Sequence, residues 1–370
     1  MYSYKSSGKF VERTISVVGI EVCMAYKRLD FIDTARGLSI LAVIIGHIIS
    51  KQAPLLENIN AFLYAFHLPL FFIISGFLFK ADSSPKGFLL KKVKAYGIPY
   101  VFCSVVISCY YILIRAVDSG TGGLGVYILW MIKNFIVQTR FTVLWFLSVL
   151  FFAEILLYFF FVISKKKIVY MWIISVFFGI SFMIYDICGL PALPWNIDTS
   201  FIVVPFLLFG FSLKKYNFFN LKIVEVSQIT LLFLIFGVTC VAVNTYMTGG
   251  GHMDMFASQY RFIPFVLLAA FSLSLFFLLL SRKITIRSLR WLGANTMVFF
   301  AFHQAIGMDL SKRILSIFWN IDASESSLIM QILVVIVMLS LVLAICYTIH
   351  IAILKSGLGF LIGKKNPQPS

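Results

Sequence analysis

The chain has 370 residues, of which 61% are hydrophobic, 17% are aromatic and only 12% are charged. Because soluble domains carry about 25% charged residues, this composition excludes both a soluble enzyme and a disordered chain. The 31 Lys and Arg residues outnumber the 15 Asp and Glu residues and give a net charge of +16. In a chain this apolar the excess indicates membrane topology, because cytoplasmic loops accumulate Lys and Arg, and we expect no nucleic-acid partner.

The sequence contains ten long apolar runs. A membrane-spanning helix needs about 20 mostly apolar residues, whereas a strand of a membrane barrel needs only about 10 alternating ones. The runs therefore predict an all-α polytopic bundle of about ten transmembrane helices. The predicted spans are 36–50, 59–79, 95–115, 142–164, 168–188, 199–213, 227–247, 259–281, 292–310 and 327–353. The segment 124–137 is predicted to be a re-entrant or surface helix, because Lys133 interrupts it.

The basic residues are distributed unevenly between the loops. Of the 31, 24 fall in the N-terminal segment, in alternate loops and in the C-terminal tail, and seven fall on the other side. This asymmetry predicts that both termini are cytoplasmic. We expect a flexible cytoplasmic N-terminal tail (1–26), a transmembrane domain (27–356) and a cytoplasmic C-terminal tail (357–370), with Met24 as an alternative translation start.

The six cysteines give no sign of a cross-link or a metal site. Five of them lie inside apolar runs, and none shows CxxC or metal-type spacing. We therefore expect them to behave as small buried apolar side chains, with no structural disulfide and no bound metal.

Ionisable side chains inside the predicted spans are the first candidates for function, because such groups are costly in a membrane and usually functional. His47, His67 and His303 fall in the first, second and ninth spans. Their depths, at 1.5 Å per residue, would allow all three to border one cavity. Glu154 in the fourth span is a further buried acid, and we expect one of these histidines to be its partner.

Arg36 and His47 carry the most informative spacing. They are 11 residues apart, which on a helix is three turns plus about 20°, so both point to one face with an axial separation of about 16 Å. A cation at the cytoplasmic rim and a deep imidazole suit a long ligand with an anionic head and a reactive tail, such as acyl-coenzyme A. Arg is suited to phosphate, and a neutral imidazole can accept a hydroxyl proton or attack a thioester. The alternative is that His47 only forms inter-helix hydrogen bonds.

Two other features have plain interpretations on local grounds. Lys91 and Lys94 share a helix face just before the third span, where basic residues record topology and contact lipid phosphates. His252 follows three glycines and is expected to be a mobile loop histidine.

Several segments resemble the membrane-bound acyltransferase family 3. Residues 28–37 and 46–47 are similar to its first helix, in which an Arg is followed after ten residues by a His, as in Arg36 and His47. Residues 66–77, with His-Leu-Pro at the start and Ser-Gly-Phe at the end, resemble its second helix and are most similar to the fucose 4-O-acetylase-like branch. The weaker matches are 91–99, 145–147, 209–211 and 292–296 leading to His303.

The resemblance implies transfer of an acyl group, usually acetyl, from cytoplasmic acetyl-CoA to a carbohydrate hydroxyl. It implies His47 as the catalytic residue, acting as a base or as an acyl carrier, and Arg36, together with Arg28, in donor binding. Lys91 and Lys94 would replace the family's usual arginines. Other candidates to line the site are His67, Ser75, Trp145, Glu154, Asn295 and His303. We expect a stand-alone enzyme of a bacterial-type cytoplasmic membrane, surrounded by membrane lipids, that modifies a cell-envelope carbohydrate or lipid-linked glycan precursor.

Two other classes of function remain open at this stage. A transporter or flippase for glycan precursors would also use ten spans and a polar cavity, but transporters tend to have paired halves with matching interrupted helices. The His-Leu-Pro of the second span has no counterpart five spans later. A non-catalytic partner in envelope assembly would not need the pairing of Arg36 and His47.

Overall fold

The computed structural model describes residues 8–81, 84–221, 227–260, 262–318 and 326–364, with side chains from Asp30 onward. Every regular element of these residues is helical, and one antiparallel bridge joins Asp254 to Gln259. The predicted all-α class is therefore confirmed.

The described chain contains α-helices, two π-helical segments and short 3-10 turns. The α-helices are α1 (Gly8–Gln52), α2 (Glu57–Leu78), α3 (Pro85–Lys92), α4 (Ile98–Ser119), α5 (Leu124–Val137), α6 (Trp145–Ile163), α7 (Ile168–Ile187), α8 (Ile197–Lys215), α9 (Ser227–Met247), α10 (Ile263–Ser281), α11 (Arg287–Ala294), α12 (Thr296–Phe302), α13 (Asp309–Phe318) and α14 (Leu328–Lys355). The π-helical segment Val93–Gly97 joins α3 to α4, and His303–Met308 joins α12 to α13.

Nine helical segments of the described chain are long and apolar enough to cross a membrane. They are Asp30–Gln52, Pro54–Leu78, Pro85–Ser119, Trp145–Ile163, Ile168–Ile187, Pro194–Lys215, Ser227–Met247, Ile263–Ser281 and Leu328–Lys355. They correspond to nine of the ten predicted spans and confirm a polytopic helical bundle.

The predicted span 292–310 has a different form. The chain breaks at Asn295, where φ is −118° and ψ is 19°, and it then widens into the π-helical segment at His303. The result is three short α-helices with a π-helical turn between the last two, in place of one regular helix.

Helix α5 has 14 residues, which at 1.5 Å per residue is about 21 Å and too short to cross the hydrocarbon core of about 30 Å.

The centre of the bundle is formed by α1, α2 and α8, which are the most buried of the membrane-length helices. Two glycines allow α2 and α8 to touch backbone to backbone. A Cβ atom at Gly76 would lie 1.8 Å from the Leu207 carbonyl oxygen, and one at Gly210 would lie 1.9 Å from the Ile73 carbonyl oxygen. Membrane helices associate closely through such small residues. The Ser-Gly-Phe and Phe-Gly-Phe motifs are therefore packing sites.

A similar crossing joins α1 to α11. A Cβ atom at Gly293 would lie 1.6 Å from the Asp33 carbonyl oxygen, and one at Gly37 would lie 2.2 Å from the Leu289 carbonyl oxygen. This contact fixes the first turns of the membrane-length part of α1, which carry Arg36, against the start of the interrupted run.

The two ends of the bundle are named after Arg36 and Lys51, which lie near the start and the end of the membrane-length part of α1.

The short 3-10 helix Leu358–Ile362 packs on α4 and α14. The packed chain therefore continues to Lys364, beyond residue 356, the predicted end of the transmembrane domain.

Candidate active site

Three histidines pack around the ring of Tyr64 toward the Lys51 end of the bundle, and a fourth packs against one of them. The Tyr64 ring centroid lies 6.0 Å from that of His47, 4.7 Å from that of His67 and 4.0 Å from that of His252. The His47 and His303 rings lie 5.3 Å apart. The structure thus brings together the three predicted intramembrane histidines and adds a fourth; these four residues are called the histidine cluster.

His47 differs from His67 and His303 in its exposure to solvent. His67 and His303 retain 2% and 0% of their exposure, whereas His47 is only partly buried. His67 Nδ1 lies 2.7 Å from the Leu63 carbonyl oxygen. Because a carbonyl can only accept, this nitrogen carries the hydrogen. Of these three histidines, His47 is therefore the one whose side chain keeps some exposure.

His303 opens the π-helical segment His303–Met308, and such segments are frequent at functional sites. Its Nδ1 lies 3.0 Å from the Phe299 carbonyl oxygen and 2.8 Å from that of Phe300, so Nδ1 is the donor. Its buried Nε2 has no hydrogen-bond partner in the described structure. A buried acceptor without a partner is costly, and this one lies next to the His47 ring.

His47 is oriented through its Nδ1 atom, which lies 3.3 Å from the Tyr64 hydroxyl. That hydroxyl is 3.4 Å from Ser50 Oγ, which accepts a hydrogen bond from Asn60 Nδ2 at 2.8 Å. Gly46 makes room for this arrangement, since a Cβ there would lie 2.9 Å from the Tyr64 ring. If His47 Nδ1 donates to Tyr64, its Nε2 keeps a free lone pair, which is the form that a general base requires.

The expectation that His252 is a mobile loop residue is wrong. Its Nδ1 atom forms an ion-pair contact of 2.6 Å with Glu57 Oε1, and its ring packs on Tyr64. The loop between α9 and α10 therefore closes over the histidine cluster.

A cavity of about 770 Å³ opens at the Lys51 end. Lys51 lies one helical turn after His47, and Gln304 follows His303, so the cavity comes within about one turn of the cluster. Its lining combines five aromatic rings with polar and charged groups. These residues include Lys51, Gln52, Tyr111, Tyr127, Trp130, Phe141, Thr142, Phe256, Gln304, Asp309 and Lys312.

Arg36 lies near the opposite end of the membrane-length part of α1 and is about one-third exposed, with an ion-pair contact of 3.5 Å to Asp33. Burial lowers the pKa of the Lys364 amine, the Asp33 carboxylate opposes this shift, and the Arg36 guanidinium adds to it. Lys364 Nζ also donates to the Ala294 carbonyl oxygen at 2.6 Å. Two positive charges are thus held close together at the Arg36 end, where an anionic group could lie between them.

The predicted partner of Glu154 is also wrong. The buried Glu154 carboxylate pairs with Lys92 and accepts a hydrogen bond of 2.9 Å from the Tyr96 hydroxyl. Tyr96 in turn lies within electrostatic range of Arg36. Glu154 therefore belongs to the Arg36 end of the bundle, because α6 carries it about two and a half turns away from Trp145.

The predicted donor-binding lysines point outward. Lys91 and Lys94 are exposed, whereas the side chain of Lys92 retains 18% exposure and turns inward. The prediction that Lys91 and Lys94 share one face assumes a regular α-helix. The chain instead enters the π-helical segment Val93–Gly97 between these two lysines, and this changes their relative direction. Arg28 lies outside the described side chains.

Three remaining candidates lie outside the histidine cluster. Trp145 begins α6 at the Lys51 end, where its ring lies 5.9 Å from that of Phe256 in the cavity wall. Ser75 lies eight residues beyond His67 on α2, about 12 Å nearer the Arg36 end. Asn295 marks the break between α11 and α12, where its side chain donates to the Trp291 carbonyl oxygen at 2.7 Å.

Sequence reasoning missed several residues of the site, although α2 carries a signal for three of them, Glu57, Asn60 and Tyr64, beside the predicted His67. Glu57, Asn60, Tyr64 and His67 follow one another at intervals of three, four and three residues, which places them on one helix face. A polar stripe of this kind within an apolar helix marks an internal surface. His252 carries no such signal, because it lies in a loop about 190 residues away from its partners.

Comparison with known proteins identifies the family. The profile of an acyltransferase domain, that of acyltransferase family 3, matches residues 29–351. No curated protein and no solved structure matches the chain. The matched region contains α2 to α13, the membrane-length part of α1 and nearly all of α14, and so includes the histidine cluster, the cavity and Arg36. The chain is therefore a member of acyltransferase family 3, an integral membrane acyltransferase.

Proposed function

We propose that the protein transfers an acetyl group from cytoplasmic acetyl-CoA to a hydroxyl of a cell-envelope carbohydrate or of its lipid-linked precursor. The observation that carries the proposal is the position of His47. It keeps some exposure beside the buried His67 and His303, it is on the same helix as Arg36, and a cavity of about 770 Å³ begins one helical turn away at Lys51.

The proposed orientation follows from the basic residues. The Arg36 end faces the cytoplasm, since the loops at this end carry most of the 31 Lys and Arg residues. The Lys51 end then faces away from the cytoplasm, and the protein lies in a bacterial-type cytoplasmic membrane. The donor and the acceptor approach His47 from opposite sides.

The donor binds through its anionic groups at the Arg36 end. Arg36 and Lys364 supply two positive charges there, and arginine can bind a phosphate with two hydrogen bonds. The axial distance of about 16 Å between Arg36 and His47 suits the long arm that joins the phosphates of coenzyme A to its thioester.

The chemical step uses His47 as a general base. Its Nε2 accepts the hydroxyl proton while the hydroxyl oxygen attacks the thioester carbonyl carbon, and the new C–O bond forms as the C–S bond breaks. The imidazolium then returns the proton to the departing thiolate, which leaves as coenzyme A. Tyr64 keeps Nδ1 of His47 in the donor form during this cycle. In the alternative route, His47 Nε2 carries the acetyl group before the hydroxyl accepts it.

The acceptor reaches the site through the cavity at the Lys51 end. Five aromatic rings in its wall can pack against the C–H faces of sugar rings. The His-Leu-Pro sequence at residues 67–69 favours the fucose 4-O-acetylase-like branch of the family.

Membrane vesicles of defined sidedness test the proposal. Inverted vesicles from cells that express the protein should incorporate radiolabelled acetyl from acetyl-CoA into glycan, whereas right-side-out vesicles and inverted vesicles lacking the protein should not. Mass spectrometry of the glycans should show the added acetyl. Glycan that crosses the membrane without gaining acetyl would instead support a transporter and would contradict the proposal.

A further inference from the structure

Two lysines face the same cavity at the Lys51 end. Lys51 ends the membrane-length part of α1 one turn beyond His47, and Lys312 lies on α13. They are close enough for the charge of Lys312 to act on Lys51. Neither amine forms an ion pair or a hydrogen bond within the part of the chain that the structure describes.

The nearest carboxylate does not neutralise this pair. Asp309 acts electrostatically on Lys51, but its Oδ2 atom already accepts a hydrogen bond of 2.9 Å from Arg313 Nε and another from the Tyr110 hydroxyl. Arg313 also binds Asp118 through two hydrogen bonds, of 3.0 and 2.7 Å. Arg313 and its two carboxylates together carry a net charge of −1, so with the two lysines the five groups leave this end of the cavity with one excess positive charge.

Both lysines are exposed, so water screens part of their repulsion, and an anion placed between them would be attracted by both amines. The rest of the wall fits a sugar ring, with Tyr111, Tyr127, Trp130, Phe141 and Phe256 around the opening. A ligand that satisfies both features has a carbohydrate ring and a negatively charged substituent.

We propose that Lys51 and Lys312 bind an anionic substituent, a carboxylate or a phosphate, on the sugar acceptor, so that the protein modifies an acidic glycan. This inference rests on the proposed function of the same site. The lysines hold the charged group at the rim of the cavity, and the sugar ring extends toward His47, one turn deeper along α1.

Binding measurements test the inference without requiring acyl transfer. The protein is placed in nanodiscs of phosphatidylcholine, and its tryptophan fluorescence is followed during titration with a glucuronic-acid oligosaccharide, a hexose phosphate or the matching neutral oligosaccharide. The acidic probes should bind about tenfold more tightly than the neutral one, as expected for hydrogen bonds to charged groups. Trp130→Phe should remove most of the signal, because Trp130 lines this cavity.

Substitutions show which lysines cause the preference for acidic probes. Lys51→Gln and Lys312→Gln should each reduce the preference for acidic probes, and the double variant should abolish it. Lys133→Gln should leave it unchanged, because Lys133 is exposed on α5 and does not line the cavity. Equal binding of acidic and neutral probes to the unchanged protein would overturn the inference.

Two further arms distinguish saccharide binding from lipid binding and from catalysis. If nanodiscs of phosphatidylglycerol abolish the preference, the lysines bind a lipid headgroup and the inference is overturned. His47→Ala should keep the preference for acidic saccharides even though it cannot transfer acetyl. If the unchanged protein prefers acidic saccharides but transfers no acetyl, the proposed function alone is contradicted. If the unchanged protein transfers acetyl but shows no preference for acidic saccharides, this inference alone is contradicted.

Discussion

The Tyr64 hydroxyl lies 3.3 Å from Nδ1 of His47, and Nε2, on the other side of the imidazole, is the nitrogen proposed to act as the base. The two residues belong to different helices, and Gly46 is what allows α2 to bring the tyrosine ring this close to α1. If the hydroxyl accepts a hydrogen bond from Nδ1, this contact holds His47 in the tautomer whose Nε2 can act as a base.

Tyr64→Phe should therefore lower kcat and leave KM for acetyl-CoA nearly unchanged. The loss of one neutral hydrogen bond of about 1 kcal/mol predicts a decrease of up to about tenfold. Initial rates of coenzyme A release give both constants. Tyr170→Phe is the matched control, because Tyr170 is exposed on α7. An increase in KM with unchanged kcat would assign Tyr64 to binding instead.

Arg36→Gln should raise KM for acetyl-CoA with a smaller effect on kcat, because the guanidinium is proposed to hold the donor phosphates. Hydrogen bonds to charged groups contribute about 1.5–3 kcal/mol, so the increase should be about tenfold or more. Arg287→Gln serves as the control, since Arg287 is exposed at the start of α11. Dephospho-acetyl-CoA lacks the 3′-phosphate of the donor. If its affinity relative to acetyl-CoA falls equally in Arg36→Gln and in Arg287→Gln, the donor phosphates lie elsewhere.

The pair formed by Glu154 and Lys92 should contribute mainly to stability. Glu154→Leu leaves a largely buried amine without its partner and should cost about 3 kcal/mol, at the low end of the range for buried pairs because Lys92 keeps some exposure. Adding Lys92→Met should recover most of the loss in the midpoint of thermal unfolding. A double variant that is stable but fails to bind acetyl-CoA would instead assign Lys92 to the donor site.

Gly76→Ala should destabilise the bundle, because the new Cβ would lie 1.8 Å from the Leu207 carbonyl oxygen. Forcing α2 and α8 apart should cost about 3 kcal/mol or more, since overpacking typically costs 1–3 kcal/mol and this contact involves backbone. Gly179→Ala is the matched control on α7, where a Cβ would meet no atom within 4 Å. Equal midpoints of thermal unfolding for the two variants would contradict the close crossing.

The helical architecture could be predicted because each apolar run is a local property of the sequence. Nine runs became membrane-length helices, while the run at 292–310 was broken by its own backbone at Asn295 and His303. Nothing in its composition reveals a π-helical segment, since the widened turn depends on what α12 packs against.

The site could be predicted only in part. The spacing of Arg36 and His47 predicted one face of α1 with a cation and an imidazole about 16 Å apart, and membrane depth indicated His67 and His303. The contact between His252 and Tyr64 could not be predicted, because it joins a loop to a helix that is distant in sequence. Glu154 was assigned the wrong partner for a similar reason, since depth along α6 alone does not say which neighbouring helix supplies a cation.

The central claim is that His47 carries out proton transfer during acetyl transfer. The most direct measurement is the initial rate of acetyl incorporation into glycan by inverted vesicles that contain His47→Gln, compared with His350→Gln, a buried histidine of α14 outside the cluster. We predict that His47→Gln lowers the rate by about a hundredfold or more while the protein stays folded, and that His350→Gln keeps most of it. A His47→Gln protein that transfers acetyl at close to the unchanged rate would contradict the claim.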